Sequence, residues 1–351
     1  MSKKKVTIVV TVVAVTVIAI AAALLPKPGR LGPETRAPAT QPQPEKLTFR
    51  LKWFIYSSFA HHLIAQEKGL YARENLNIDI RPGGANVDPI KSVIAGEDDI
   101  GLASYAQILL AREKGIPIIA IAEEYVKSGV VAYSLQESGI KEPKDFVGKK
   151  VGLIPASDTG TVYEALMAKQ GIDRKGITEV TIGFDLTPLL TGAIDVSTVG
   201  YVSNQPIAVA QKGHAVNIID PWNYGIRPGG NVVFTTEQKL REKRPQLKAF
   251  LRAMLEAISE SQKMQDAEVV DIVLKLNPNL NRQTELEVWR VTKEQLLSHE
   301  PGKSGLMPEG TWKHTAEIFS ASGVLKRVPD IESCYTNDLV REIHAERSAG
   351  K

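Results

Sequence analysis

From residue 47 onward the chain alternates between two hydrophobic rhythms. "LTFRLKW" places apolar side chains at every second position, as a strand does. "AHHLIAQEKGLYARENL" spaces them at helical intervals with a glycine break, and "NIDIRP" returns to a strand. "VDPIKSVIAGEDDIGLASYAQILLAREKGIPIIAIAEEY" then reads as helix, short strand, helix, strand. "GVVAYSL" and "GKKVGLIPA" are further strands, separated by "QESGIKEPKDFV", whose Lys-Glu-Pro-Lys-Asp run marks a turn and a short helix. "SDTGTVYEALMAKQGI" is a helix opened by a cap at Ser157, Asp158 or Thr159. "ITEVTIGF" and "GAIDVSTVGY" continue the alternation, and "AVNIIDPWNYGI" closes it. From residue 239 only helical patterns follow, broken at Pro245 and Pro278.

Alternating β and α elements predict an α/β protein with mainly parallel sheets. The compact arrangement is two lobes. Lobe 1 takes residues 47–135 plus 231–345, and lobe 2 takes residues 136–230. The cleft between two such sheets gathers the carboxyl ends of several strands, where ligands of open α/β folds sit.

The N-terminus follows different rules. Lys3, Lys4 and Lys5 precede an uncharged apolar run over residues 6–25, which as a helix would span about 30 Å, the thickness of one hydrocarbon core. Residues 1–25 therefore read as a signal peptide or an N-terminal membrane anchor. Length favours the anchor, and the alanines at 21–23 favour cleavage. Either way the body is expected to be exported, periplasmic or at the cell surface. Residues 26–46 are proline-rich and polar and read as an extended linker.

Composition narrows the classes. Apolar residues make up 43% and charged ones 24%, as in a globular chain, and a net charge of +3 over 351 residues leaves no footprint for nucleic acid. Cys334 is the only cysteine, so an internal disulfide and any cysteine-cluster metal site are excluded. His61 and His62 are adjacent. On a helix they point about 100° apart and do not share a metal in the i, i+4 manner, so no metal is expected. The two "RPGG" segments at Arg81 and Arg227 lack the Gly-Lys-Ser ending of a phosphate loop and read as turns. Neither a Gly-x-Ser-x-Gly elbow nor a nucleophile paired with a base is recognisable.

"LKWFIYSSFAHHLIAQEKGLYARENLNIDI", "SGIKEPKDFVGKKVGLIPASDTGTVYEALMAKQGID", "LLTGAIDVSTVGYVSNQPIAVAQKG" and "NYGIRPGGNVVFTTEQ" lie in an order that resembles the solute-binding proteins of ABC importers. The branch is the one that includes binders of thiamine-pyrimidine precursors, nitrate, sulfonates and riboflavin. The resemblance implies a two-lobed type II periplasmic-binding-protein fold that closes on a small solute and presents it to an ABC permease. It further implies a monomer without a cofactor or catalytic residues. Pyrimidine-type members carry Trp, then Pro-Asn, then His in the first motif. Here Trp53 matches, whereas Ile55, Tyr56 and Phe59 take the other places, and the usual "NEP" of the second lobe is Asn204, Gln205 and Pro206.

Four aromatic residues crowd the end of the first strand in a chain only 6% aromatic. Phe54 and Phe59 are assigned to the core. Trp53 and Tyr56, rings with a polar handle, suit a half-wet cleft and a flat ligand. Ser157, Asp158 and Thr159 open a helix and can both cap it and face the ligand. Asp158 argues against an anionic solute, because a carboxylate at a helix N-terminus repels one. Ser104 and Tyr105 follow a short strand, Trp222 and Tyr224 follow the last strand of lobe 2, and the amide of Gln205 can donate and accept. The expected ligand is a flat neutral heterocycle, either a thiamine pyrimidine precursor or a larger ring such as riboflavin. The alternatives are a nitrate or sulfonate carrier, or a pyrimidine-precursor biosynthetic enzyme of the same fold.

Overall fold

The computed structural model describes residues 43–297 and 302–349. The segment predicted to address the membrane lies outside them. Among the described residues no helix is long and apolar enough to cross a membrane.

Among the described residues, ten strands form two five-stranded sheets. The first sheet holds β1 (Glu45–Arg50), β2 (Leu76–Arg81), β3 (Ile100–Ser104) and β4 (Ile118–Glu123). The second holds β5 (Ala132–Leu135), β6 (Lys150–Leu153), β7 (Thr178–Thr181), β8 (Val196–Ser197) and β9 (Val216–Ile219), and β10 (Asn231–Thr236) returns to the first. Their orders are β2-β1-β3-β10-β4 and β7-β6-β8-β5-β9. The two sheets share one plan. In each, the fourth strand in the order is the one that has just crossed from the other lobe. β10 runs antiparallel to β3 and β4, and β5 runs antiparallel to β8 and β9. The pairs β1–β2, β1–β3, β6–β7 and β6–β8 are parallel.

The pairing of β5 corrects the expected boundary. The chain has crossed before Ala132 and not after Leu135, because residues 132–135 already bond to β9. Beyond β10 the described chain is helical, and both expected proline positions hold: Pro245 sits in the first turn of Arg244–Ser261, and Pro278 separates Asp266–Leu276 from Arg282–Leu297. The long helix Arg244–Ser261 turns eight buried apolar side chains, among them Phe250 and Met254, into the core shared with the first sheet and its helix Ala60–Glu67. At about 1.5–3 kcal/mol per buried large apolar side chain, this face is a main source of stability for the first lobe.

Asp99 fastens the open end of β3. Its carboxylate accepts from the Thr48 N–H at 3.0 Å and pairs with Lys239 and Lys243 at 3.1 and 2.9 Å. Partial burial would raise this carboxyl, but the Thr48 N–H and the two lysines hold it down to about 2. A depressed carboxylate stabilises above its unfolded value of 3.8, and that contribution is lost as the pH falls through about 2. Discounted for solvent screening, the contribution is about 1 kcal/mol. Asp99→Asn should therefore unfold about 1 kcal/mol more easily in urea at neutral pH, with the gap to the parent protein closing below pH 4.

Candidate functional site

The carboxyl ends of equivalent strands face each other across a cavity of about 380 Å³. Residues after β1 supply Lys52, Trp53, Tyr56 and Ser58, and the end of β3 supplies Ser104. From the opposite lobe, residues after β6 supply Ile154 to Thr159, and residues after β8 supply Tyr201, Ser203, Asn204 and Gln205.

Asp158 is the electrostatic centre of this cavity. Its carboxylate receives the Lys52 ammonium at 2.7 Å, the Ser104 hydroxyl at 2.6 Å and the Tyr201 hydroxyl at 2.9 Å. Lys52 and Ser104 come from the first lobe and Asp158 and Tyr201 from the second, so the cluster bridges the cleft. Burial would raise the Asp158 carboxyl, yet Lys52 and the two hydroxyls keep it below the usual range. Burial, and then the same carboxylate, push the Tyr201 phenol well upward. Lys52 also lies 5.1 Å from the centre of the Tyr201 ring.

An aromatic contact lies beside the charge cluster and also crosses the lobes. The Trp53 and Phe184 rings are 4.3 Å apart between centroids, inclined by 56°. Tyr56 packs edge-on against Phe59 at 5.3 Å, and Ser58 bonds to Ser203 across the cleft at 3.0 Å. Ala156 adopts φ 54°, an uncommon conformation for alanine, within the loop that carries Ser157 and Asp158 into the cavity.

Most of the sequence candidates meet here. Trp53, Tyr56, Ser104, Ser157, Asp158, Thr159 and Gln205 all line the cavity. Ser104 and Ser157 are also helix caps, accepting from the N–H of Gln107 and Gly160. Gln205 spends its carbonyl oxygen on the Tyr201 N–H at 3.0 Å, which leaves its amino group for the cavity.

Three candidates lie elsewhere. Tyr105 is buried against Trp312, with its hydroxyl donating to Glu123 at 2.6 Å. Its helix position turns it into the core, away from the cleft that Ser104 faces. Trp222 stacks under the Lys127 ammonium at 5.3 Å, and Tyr224 lies near Glu142, Asp145 and Lys144, neither lining the cavity. One of the two packing assignments also changes, that of Phe54, while Phe59 is core as expected. Phe54 is 54% exposed, capping Gly84 at the cleft margin, and Phe59 is buried but touches the cavity. Both "RPGG" segments are more than turns, since Gly84 and Gly230 form cavity wall.

The geometric premise for the histidines fails as well. His61 and His62 begin the helix Ala60–Glu67, and both rings bend toward one carboxylate. Their Nε2 atoms lie 3.3 and 2.5 Å from Glu124 Oε1, behind the cleft wall.

Residues 57–267 match the family model described as NMT1/THI5 like, and the chain belongs to that family. It is 23% identical over 323 residues to the riboflavin-binding protein RibY of Chloroflexus aurantiacus, covering 87% of this chain and 88% of that protein. It is 25% identical over 215 residues to the formylaminopyrimidine-binding protein of Halalkalibacterium halodurans, covering 60% and 64%. A 4-amino-5-hydroxymethyl-2-methylpyrimidine phosphate synthase of Legionella pneumophila also matches, 26% identical over 46% of this chain and 51% of its own. In fold the chain is similar to the alkanesulfonate-binding protein SsuA of Xanthomonas axonopodis pv. citri, with a TM-score of 0.63 at 14% identity over 85% of this chain and all of that one.

Proposed function

We propose that this protein is the extracytoplasmic solute-binding component of an ABC importer, and that its solute is a small flat heterocycle of the pyrimidine or flavin kind. The observation that carries this reading is the pairing, inside one interlobe cavity, of Trp53 and Phe184 with the Lys52–Asp158 couple. Rings from opposite lobes offer faces to a planar ligand, and the couple beside them offers a donor and an acceptor to its edge. A heteroaromatic edge that carries N–H next to C=O matches both. The family and the named riboflavin and formylaminopyrimidine binders support the same class.

A free anion fits less well. Lys52 neutralises Asp158, so the cleft is not repulsive overall, but the helix N-terminus that would attract an anion is filled by Asp158 itself. Nor does the cleft offer a thiol, because Cys334 is buried and lies outside the cavity wall. The protein binds and releases its solute unchanged, acts as a monomer on the exported side of the membrane, and hands the solute to a permease.

The test is a thermal-shift panel of pyrimidines, flavins, nitrate and alkylsulfonates on protein refolded to remove any co-purified solute. One heterocycle should stabilise the protein and quench tryptophan fluorescence. Trp53→Ala should abolish the quenching and weaken binding by about 0.5–1.5 kcal/mol, some 2- to 13-fold in Kd. Stabilisation by an anion alone would overturn the reading.

A further inference from the structure

We propose that His61, His62 and Glu124 form a buried site for a divalent transition metal of the zinc class, set behind the cleft at the root of the interlobe crossing. The site is separate from the cavity and does not depend on which solute the cleft takes.

Two imidazoles and a carboxylate are a donor set that suits zinc, nickel, cobalt or iron and does not suit calcium or magnesium. Their nearest donor atoms all lie within 4.8 Å of one another, and all three residues are fully buried. Metal–nitrogen and metal–oxygen bonds of about 2.0–2.2 Å place neighbouring ligands on a tetrahedral ion about 3.3 Å apart. His61 Nε2 already stands 3.3 Å from Glu124 Oε1, and the 2.5 Å approach of His62 Nε2 to the same oxygen must widen. A cation between them replaces the proton of that short contact.

A purely hydrogen-bonded cluster leaves polar atoms stranded. Glu124 Oε2 and His61 Nδ1 are buried without a hydrogen-bond partner among the described residues, each such atom costs about 1–3 kcal/mol, and coordination through His61 Nε2 relieves Oε2 alone. With an ion present, Oε2 becomes the fourth ligand through bidentate coordination. The chelate then needs no water, in keeping with its dry setting beside the Phe49 ring, 4.5 Å from that of His62. His62 Nδ1 faces the Tyr71 hydroxyl at 3.4 Å, a contact that steadies the ring.

The position gives the ion a structural role. Glu124 opens the segment that leads to the second lobe and donates its N–H to Asn231 at 2.9 Å, on the returning segment. The next residue, Tyr125, lines the cavity and donates its hydroxyl to the Ser58 carbonyl at 2.5 Å. A metal would therefore pin the first helix of lobe 1 to both crossing segments.

The experiment is to strip the full chain with chelator in denaturant, refold it with Co2+ or Zn2+, and measure bound metal and the visible ligand-field spectrum of the cobalt form. About one equivalent per chain is expected, with the intense bands of a four-coordinate ion and a higher Tm than metal-free refolded protein. His62→Ala and Glu124→Gln should lose the spectrum, whereas His344→Ala should keep it. Absence of stoichiometric cobalt in the refolded parent protein would overturn the site. So would a weak six-coordinate spectrum, or a spectrum that survives in folded His62→Ala. The parent measurements stand even if a variant fails to fold.

Discussion

Asp158→Ala is expected to weaken solute binding by about 100-fold, more than any other single cleft substitution. Removing one member of a buried ion pair costs about 3–5 kcal/mol, because the remaining charge stays buried without compensation. Lys52 and Asp158 are 13% and 8% exposed, so solvent screens the pair little. In the variant, the Lys52 ammonium keeps only a 3.5 Å contact to the Asn231 amide oxygen and the face of Tyr201. The pair spans the lobes, so the protein has an escape: it opens and returns the ammonium to water. A loss of about 3 kcal/mol then falls on the closed, solute-binding state, and at 1.4 kcal/mol per decade this gives the 100-fold change.

Two readouts separate this account from simple loss of a ligand contact. Small-angle scattering should show the solute-free variant more open than the parent. In Lys52→Met with Asp158→Leu, where neither charge remains, closure should largely recover while affinity does not. Acid should act in the same direction as Asp158→Ala. The carboxyl is held below its usual range, so its stabilisation is complete at neutral pH and is lost as the pH falls through that depressed value. A change in Kd below about 3-fold in Asp158→Ala would mean that the pair does not bear on the closed state.

The order of strands and helices was legible because most strands of this fold are followed by a helix whose period differs from their own, so the alternation of "LTFRLKW" with "AHHLIAQEKG" is visible without any partner. The identity of the cleft segments was legible for the same reason, since they follow strands. Side-chain direction at those ends was not. Ser104 and Tyr105 are neighbours at one helix start, yet one reaches the cleft and the other the Trp312 ring. Lys52 was missed because, in an alternating strand, a lysine two places after Arg50 reads as solvent-facing. Its partner Asp158 is 106 residues away, and nothing local announces the pair. Phe184 and Tyr201 were missed for a related reason: each is an isolated aromatic in a loop, Phe184 meets the Trp53 ring only across the cleft, and Tyr201 reaches Asp158 from 43 residues away. The repeated "RPGG" was the overlooked signal. Two consecutive glycines after proline, used at both lobe edges, indicate backbone passing close to something.

At the second of these segments that proximity can be measured. Gly230→Ala is expected to lower the unfolding free energy by about 3 kcal/mol or more, the range of overpacking with backbone displacement. A Cβ built at Gly230 would lie 2.2 Å from the Tyr125 carbonyl oxygen and 2.8 Å from that of Lys127. Both are backbone atoms of the outgoing segment, so no rotamer change relieves the clash. The two segments are joined by Ser128 N–H to the Pro228 carbonyl at 3.3 Å and by Glu124 N–H to the Asn231 carbonyl at 2.9 Å. Making room for a methyl group means giving up such bonds at the point where the chain crosses twice between the lobes. Tyr105 acts from the other side, its ring within 2.4–2.7 Å of the Cβ position at Gly229, which explains why a helix-start tyrosine is buried here. Gly176→Ala is the matched control, since its Cβ would meet only Val147 Cγ1 at 3.5 Å, an ordinary contact. Urea unfolding of the two variants should differ by about 3 kcal/mol. Equal stability would mean that the crossing segments separate freely, and the lobes would then be joined by a loose tether and not by a tight two-stranded hinge.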